Sequence, residues 1–324
     1  MARDGSTKDL SLKALELFQI CARKGSLQDV SDETGLAVST VSHHLRNLET
    51  HLGVALFDHT RRPMVLTPKG AAFLRTIDDA LYSIRKAKAE ASAGGMAQAS
   101  YLRIGSIEDF DSDIIPELAV YLSDKMPRCD FLYHTDSSHA LIDMLRDRKL
   151  DLGITSYPSD RYRDLMERPL LRDPFVVVLP RGAKYDVKDV VEGRSDLPLL
   201  RFSGSLLIGR LIEAQLRRLG VAPPLRFECA NDRTLMAMVA AGAGWAITTP
   251  LLFSRARRFQ SDLRMHAFPA KRFARTLSIV ATPDCSRSVL DQVDARVREL
   301  IAQHTIRPMT QSAPWLSDEF ALID

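Results

Sequence analysis

The chain has 324 residues, and its 44 Lys and Arg stand against 41 Asp and Glu, a formal net charge of +3. That length exceeds the usual single domain, so about two or three units, each with its own core, are expected. The near balance of charge excludes a histone-like polycation and confines any nucleic-acid contact to local patches.

Cys21, Cys129, Cys229 and Cys285 are scattered without paired spacing, which argues against a disulfide scaffold or a zinc ribbon. Reduced structural thiols and no metal or other cofactor are the expectation. The opening MARDGSTKDL has no apolar core after its charges, and no later stretch approaches the roughly 18 to 20 apolar residues of a membrane span. A cytoplasmic protein without membrane contact is expected.

From Leu10 to Lys24, apolar residues recur at three- and four-residue intervals, the spacing of an amphipathic helix, and Gly25 stops it. Ser26 opens a short helix with Asp29 three residues on, a capping-box variant, and Gly35 ends it. A third helix is expected from about Ser39 to His51, with Val41, Leu45, Leu48 and Leu52 on one face. Two short helices at a tight turn behind a longer one make a helix-turn-helix. If the apolar face is inward, Ser39, Thr40, Ser42, His43, His44 and Arg46 are left for base edges and phosphates; the bland alternative is a solvated helix face.

Two short apolar runs, ValAlaLeuPhe and MetValLeuThr, flank the turn AspHisThrArgArgPro, which predicts a β-wing with Arg61 and Arg62 at its tip, placed for phosphates or a minor groove. Thr67 and Pro68 then open a helix to about Ala91. Phe73, Ile77, Leu81, Ile84, Ala87 and Ala91 recur near every 3.5 residues, a seam that fits a partner helix, with packing on its own chain as the alternative. The Gly94-Gly95 run that follows fits a hinge.

Beyond Leu102, short apolar strands alternate with helices, the pattern of an α/β domain, and two such sets predict two lobes with a ligand cleft beyond the strand ends. Turns at those ends supply candidate ligand contacts: Ser106, Thr135, Ser137, Ser138, Phe202, Ser203, Trp245 and Thr248. Each Ser or Thr has the alternative of capping a helix. The segment Ile107 to Asp113 adds four carboxylates. These either begin the next helix, where acids suit the dipole, or, if Glu108 or Asp109 faces inward, favour a cationic or zwitterionic ligand.

Taken in order, GlySerLeu at Gly25, HisHisLeuArgAsnLeuGlu at His43, LeuGlyValAlaLeuPheAsp at Leu52, LeuThrProLysGly at Leu66, LeuAspLeuGlyIle at Leu150 and ValAlaAlaGlyAlaGlyTrpAlaIle at Val239 resemble the LysR-type transcriptional regulators, from about Leu12 to Ile301. The resemblance implies a winged helix-turn-helix over 1–67 and a dimerising linker helix over 68–95. It also implies a two-lobed, periplasmic-binding-protein-like (type 2) effector domain over 101–304, with a C-terminal tail over 305–324. The first lobe is expected at about 101–167 and 284–304 and the second at about 168–283.

The implied partners are double-stranded DNA, a small-molecule effector with an organic anion as leading ligand, and further copies of the chain as dimer or tetramer. Two departures bear on DNA readout. Ala37, Val38 and Ser39 stand where members commonly carry Ser-Gln-Pro, and His43 and His44 where Arg and Gln are common.

Other classes fare worse. There is no GxSxG, no P-loop and no metal-spaced His/Cys set. A stand-alone solute-binding protein is opposed by the first 70 residues, and a redox sensor at Cys229 by the want of a nearby second Cys.

Overall fold

The computed structural model describes residues 10–91, 101–156, 164–270 and 273–323. Two compact units divide the chain near Gly94.

In the N-terminal unit, helices α1 (Leu12–Lys24), α2 (Leu27–Thr34) and α3 (Val38–Leu52) precede a two-stranded wing, β1 (Phe57–Asp58) and β2 (Val65–Leu66), and the helix α4 (Pro68–Ala91). Gly25 ends α1 in the left-handed region at φ 68°, where its N–H donates to the Cys21 carbonyl. A Cβ there would also crowd Pro63 at 3.1 Å. The Ser26 hydroxyl accepts from the Asp29 amide, as the capping spacing predicts.

Leu17, Phe18, Cys21, Val30, Val41, Leu45 and Leu48 are buried together. Phe18 packs on Phe57 of the wing and Phe73 of α4, with ring centroids 5.2 and 5.5 Å away. Ile77 and Leu81 are buried in the same core. The first half of the heptad seam is therefore closed by its own chain, and α4 belongs to the N-terminal unit. Ile84 is left 38% exposed.

The C-terminal unit runs β3 (Tyr101–Ser106), α5 (Ile115–Lys125), β4 (Asp130–Thr135), α6 (Ser138–Arg146), β5 (Leu152–Thr155), β6 (Met166–Pro174) and β7 (Val176–Pro180). It continues through α7 (Val187–Val191), β8 (Leu199–Phe202), α8 (Leu207–Leu219), β9 (Leu225–Cys229), α9 (Asp232–Ala240), β10 (Ala246–Thr248), α10 (Pro250–Arg255) and β11 (Leu263–Ala267). It closes with β12 (Ala274–Ala281), α11 (Arg287–Ile301), α12 (Arg307–Ser312) and β13 (Ala321–Leu322).

Its larger sheet has the order β13-β6-β12-β5-β3-β4, parallel where α5 and α6 cross over and antiparallel elsewhere. The second lobe holds the antiparallel sheet β10-β7-β11 and the parallel pair β8-β9.

The lobe boundaries expected at 167 and 284 are corrected by this register. Strands β6 and β12 pair along their length from Met166↔Ala281 to Pro174↔Ala274, so the first lobe extends through Pro174 and resumes at Ala274. The chain crosses between lobes just beyond that pair, where the Phe175 amide donates to the Phe273 carbonyl at 2.9 Å and the two rings stack at 4.2 Å. The C-terminal tail is built into the first lobe. Leu316 and Phe320 are fully buried, and β13 pairs with β6 at the sheet edge. Among the described residues, no helix is long and apolar enough to cross a membrane.

Candidate functional site

Two concavities gather the candidate residues, one in each unit. In the N-terminal unit, Val41, Leu45 and Leu48 of α3 face the core. Helical geometry therefore turns the intervening polar positions outward. Ser39, His43 and Arg46 are exposed, and Thr40, Ser42 and His44 are half-buried.

The wing returns to α3 by a specific device. Glu49 Oε1 accepts from the Leu56 and Phe57 amides at 2.7 and 3.1 Å, and Glu49 Oε2 lies 2.9 Å from His59 Nε2. Partial burial pushes the Glu49 carboxyl up, but the Phe57, His59 and Leu56 donors outweigh it and hold it below its ordinary value.

The result is a groove of about 560 Å³ lined by Ser42 and Arg46 of α3, Arg61 and Arg62 of the wing, His59 and the Gly25–Leu27 turn. Ser39, Thr40, His43 and His44 lie on the same helix outside that lining. His43 Nε2 meets Asn47 Nδ2 at 3.0 Å, and Arg61 pairs with Asp58 at 3.2 Å. Sequence reading missed Glu49 and His59, because their partners are backbone amides and each other across a turn.

In the C-terminal unit a cleft of about 410 Å³ lies between the lobes, a volume suited to a small molecule. Glu108, Thr135, Ser137, Ser138 and Phe202, all expected there, line it. Ser137 caps α6, its hydroxyl accepting from the Ala140 amide.

Four further candidates do not line it. Ser106 is buried and donates to Asp111 at 3.2 Å, and the Ser203 hydroxyl meets Ser205 at 3.0 Å. Trp245 and Thr248 are wholly buried, Thr248 within strand β10 of the second lobe's sheet and Trp245 just before it, bridged to Leu199 of β8.

Of the acidic segment, Glu108 and Asp109 reach the cleft. Asp111 accepts from Ser106 and Thr135, Asp113 pairs with Arg257 at 3.2 Å, and Phe110 is in the core.

Asp109, the inward-facing alternative, lines the cleft too, as do Ser156, Asp232, Arg255 and Arg275, which were not expected. Arg275 projects from β12 and is 5% exposed at its side chain; it pairs with Asp109 and with Asp173 at 2.8 Å. Burial acts to lower its pKa, yet the two carboxylates hold it above the ordinary value.

Across the lobes, Glu108 accepts from Asn231 at 2.9 Å and pairs with Arg255 at 3.5 Å. Asp232 sits at the start of α9, 5% exposed, and its Oδ1 has no hydrogen-bond partner among the described residues. Burial, opposed by Arg255 and aided by Asp109 and Glu108, raises its carboxyl to about 7. In sequence, Asn231-Asp232 reads only as a helix cap, which Asn231 does perform.

Burial pushes the Cys229 thiol up, the reverse of what activates a thiolate sensor.

The chain matches the family model described as the LysR substrate binding domain over residues 97–302, and that of the bacterial regulatory helix-turn-helix protein, lysR family, over 12–71. Among curated relatives, the uncharacterized HTH-type transcriptional regulator YfeR of Shigella flexneri is 27% identical over 249 residues, covering 74% of this chain and 79% of its own. The regulator y4mQ of Sinorhizobium fredii is 30% identical over 252 residues, 76% of this chain and 80% of its own. The OxyR C206 mutant of Corynebacterium glutamicum superposes with a TM-score of 0.67 at 20% identity, covering 94% and 96% of the two chains, a likeness of fold. With the first model matching more than half of its length and the second its winged helix-turn-helix, this chain belongs to the LysR family of transcriptional regulators.

Proposed function

We propose that the groove of the N-terminal unit is the DNA-contacting surface of a cytoplasmic, non-enzymatic regulator. It acts as a dimer or tetramer, with α3 in the major groove of each half-site, roughly 34 to 36 Å apart. The observation that carries the reading is the meeting of Arg46 from α3 with Arg61 and Arg62 from the wing along one groove. Guanidinium groups so placed take phosphates and set the register, while Ser39, Thr40, Ser42, His43 and His44 along α3 offer polar atoms to base edges.

A small molecule in the interlobe cleft changes lobe closure and so the spacing of the DNA-binding units. A coupling of about 1 to 3 kcal/mol between the two sites suffices for switching.

Fluorescence anisotropy on the DNA flanking the chain's own gene, against shuffled DNA over a salt series, tests the first half. Preferential binding with a steep salt slope is expected. Equal, weak binding to both DNAs, with and without added metabolite pools, would overturn it. Arg62→Ala should weaken binding to every sequence and flatten the slope by roughly one unit. Arg61→Ala should do less, because Asp58 already offsets part of its charge.

A further inference from the structure

The charges lining the cleft point to what it binds. Arg275 donates to Asp109, Asp173 and Thr249, and one outer nitrogen of Arg255 lies 3.5 Å from Glu108 while its buried Nε has no hydrogen-bond partner among the described residues. Each guanidinium group thus faces a carboxylate of the protein itself, two cations against the four carboxylates Glu108, Asp109, Asp136 and Asp232 that line the cleft. The lining is negative in balance, and Asp232 is buried, lines the cleft and leaves Oδ1 without a hydrogen-bond partner among the described residues.

A buried carboxylate in this state costs free energy until a donor reaches it. A carboxylate ligand brings no such donor, and it would add its charge to a lining that already carries four carboxylates against two guanidinium groups. A protonated amine or guanidinium supplies the donor and the opposite charge at once. Beside the hydroxyls of Thr135, Ser137, Ser138 and Ser156, the wall has an apolar part, with Phe202, Leu206, Leu207 and Leu252 lining the same space, which suits a hydrocarbon body.

We infer that the effector carries a cationic nitrogen, a primary ammonium or a guanidinium on a carbon chain, and that Asp232 is the residue that receives it. This rests on the reading of the cleft as the effector site and replaces the organic anion as leading ligand. The raised carboxyl of Asp232 is consistent with a site completed by a cation. Arg255 and Arg275 oppose that rise, and Glu108 and Asp109 favour it.

The test uses the full chain and four probes of matched size: hexylamine, L-lysine, hexanoate and adipate. Each is titrated by calorimetry and by thermal shift up to about 10 mM, a range that captures affinities down to roughly millimolar. Binding by hexylamine or L-lysine is expected, strengthening from pH 6 to pH 8 as Asp232 ionises and weakening at least tenfold in Asp232→Asn.

Binding by hexanoate or adipate alone would overturn the cation assignment while leaving the effector cleft standing. Amines that bind wild type and Asp232→Asn equally, or no binding by either amine, would also overturn it. If an amine binds in the cleft but leaves DNA anisotropy unmoved, the cation site holds and the effector reading fails. Asp232→Asn is isosteric, and its unliganded melting curve reports whether it folds.

Discussion

A single hydrogen atom decides how α4 leaves the wing. A Cβ on Gly70 would lie 2.0 Å from the Leu56 carbonyl oxygen, so Gly70→Ala is expected to cost about 2 to 3 kcal/mol, read as a lower urea midpoint. Glu49 acts at the same scale. Its carboxyl is lower than ordinary in the fold, so the stability it contributes is present above the ordinary carboxyl range and is lost as pH falls through the lowered value. Glu49→Gln should remove about 1 to 3 kcal/mol at neutral pH, with the difference from wild type vanishing in acid. Asp232 has the opposite sign. Its carboxyl is raised to about 7, so the unliganded protein loses stability as pH climbs from the ordinary carboxyl value through 7. The melting temperature of Asp232→Asn should therefore match wild type near pH 4 and exceed it at pH 8.

Helix α4 shows how one element serves two purposes along its length. Its seam was legible as a 3.5-residue repeat, and that period cannot say which surface covers it. Phe73, Ile77 and Leu81 pack with Phe18 and the wing, while Ile84, one turn further, is 38% exposed. We expect Ile84→Glu to weaken self-association by about 1 to 2 kcal/mol in sedimentation equilibrium without changing the melting of the N-terminal unit. Unchanged association would place the dimer contact elsewhere. Helix α3 was legible for a simpler reason. Its apolar face is short-range in sequence, so turning Val41, Leu45 and Leu48 inward leaves only one face for Ser39, His43 and Arg46.

At the scale of the molecule, the two lobes are held near the cleft by polar contacts between distant segments. Asp173 of β6 is fully buried. It accepts from Arg275 of β12 at 2.9 Å and from the Leu251 amide, across the lobe boundary, at 3.3 Å. Arg275→Met leaves that carboxylate buried without its cation, and a loss of about 3 to 5 kcal/mol is expected in guanidinium denaturation. A conservative loss below about 1 kcal/mol would mean that Asp173 is neutral in the fold. Glu108 forms a second tie across the lobes through Asn231 and Arg255.

By itself, the sequence determined the order of the elements, the family, the winged helix-turn-helix and its outward polar face, because these follow from short-range periodicity, caps and turn residues. It also marked Glu108, Thr135, Ser137, Ser138 and Phe202 for the cleft, since strand ends face ligands. Only the tertiary structure decided the rest. Trp245 and Thr248 went into the core because β10 pairs with β7 in the sheet and Trp245 bridges to Leu199 of β8. The tail became an edge strand because β6 offered a free ladder. The charge of the cleft was set by pairings across 102 and 147 positions of chain, Arg275 with Asp173 and Arg255 with Glu108. No local pattern encodes which carboxylate meets which guanidinium, and so none could show that Asp232 would be buried with an oxygen lacking a partner among the described residues.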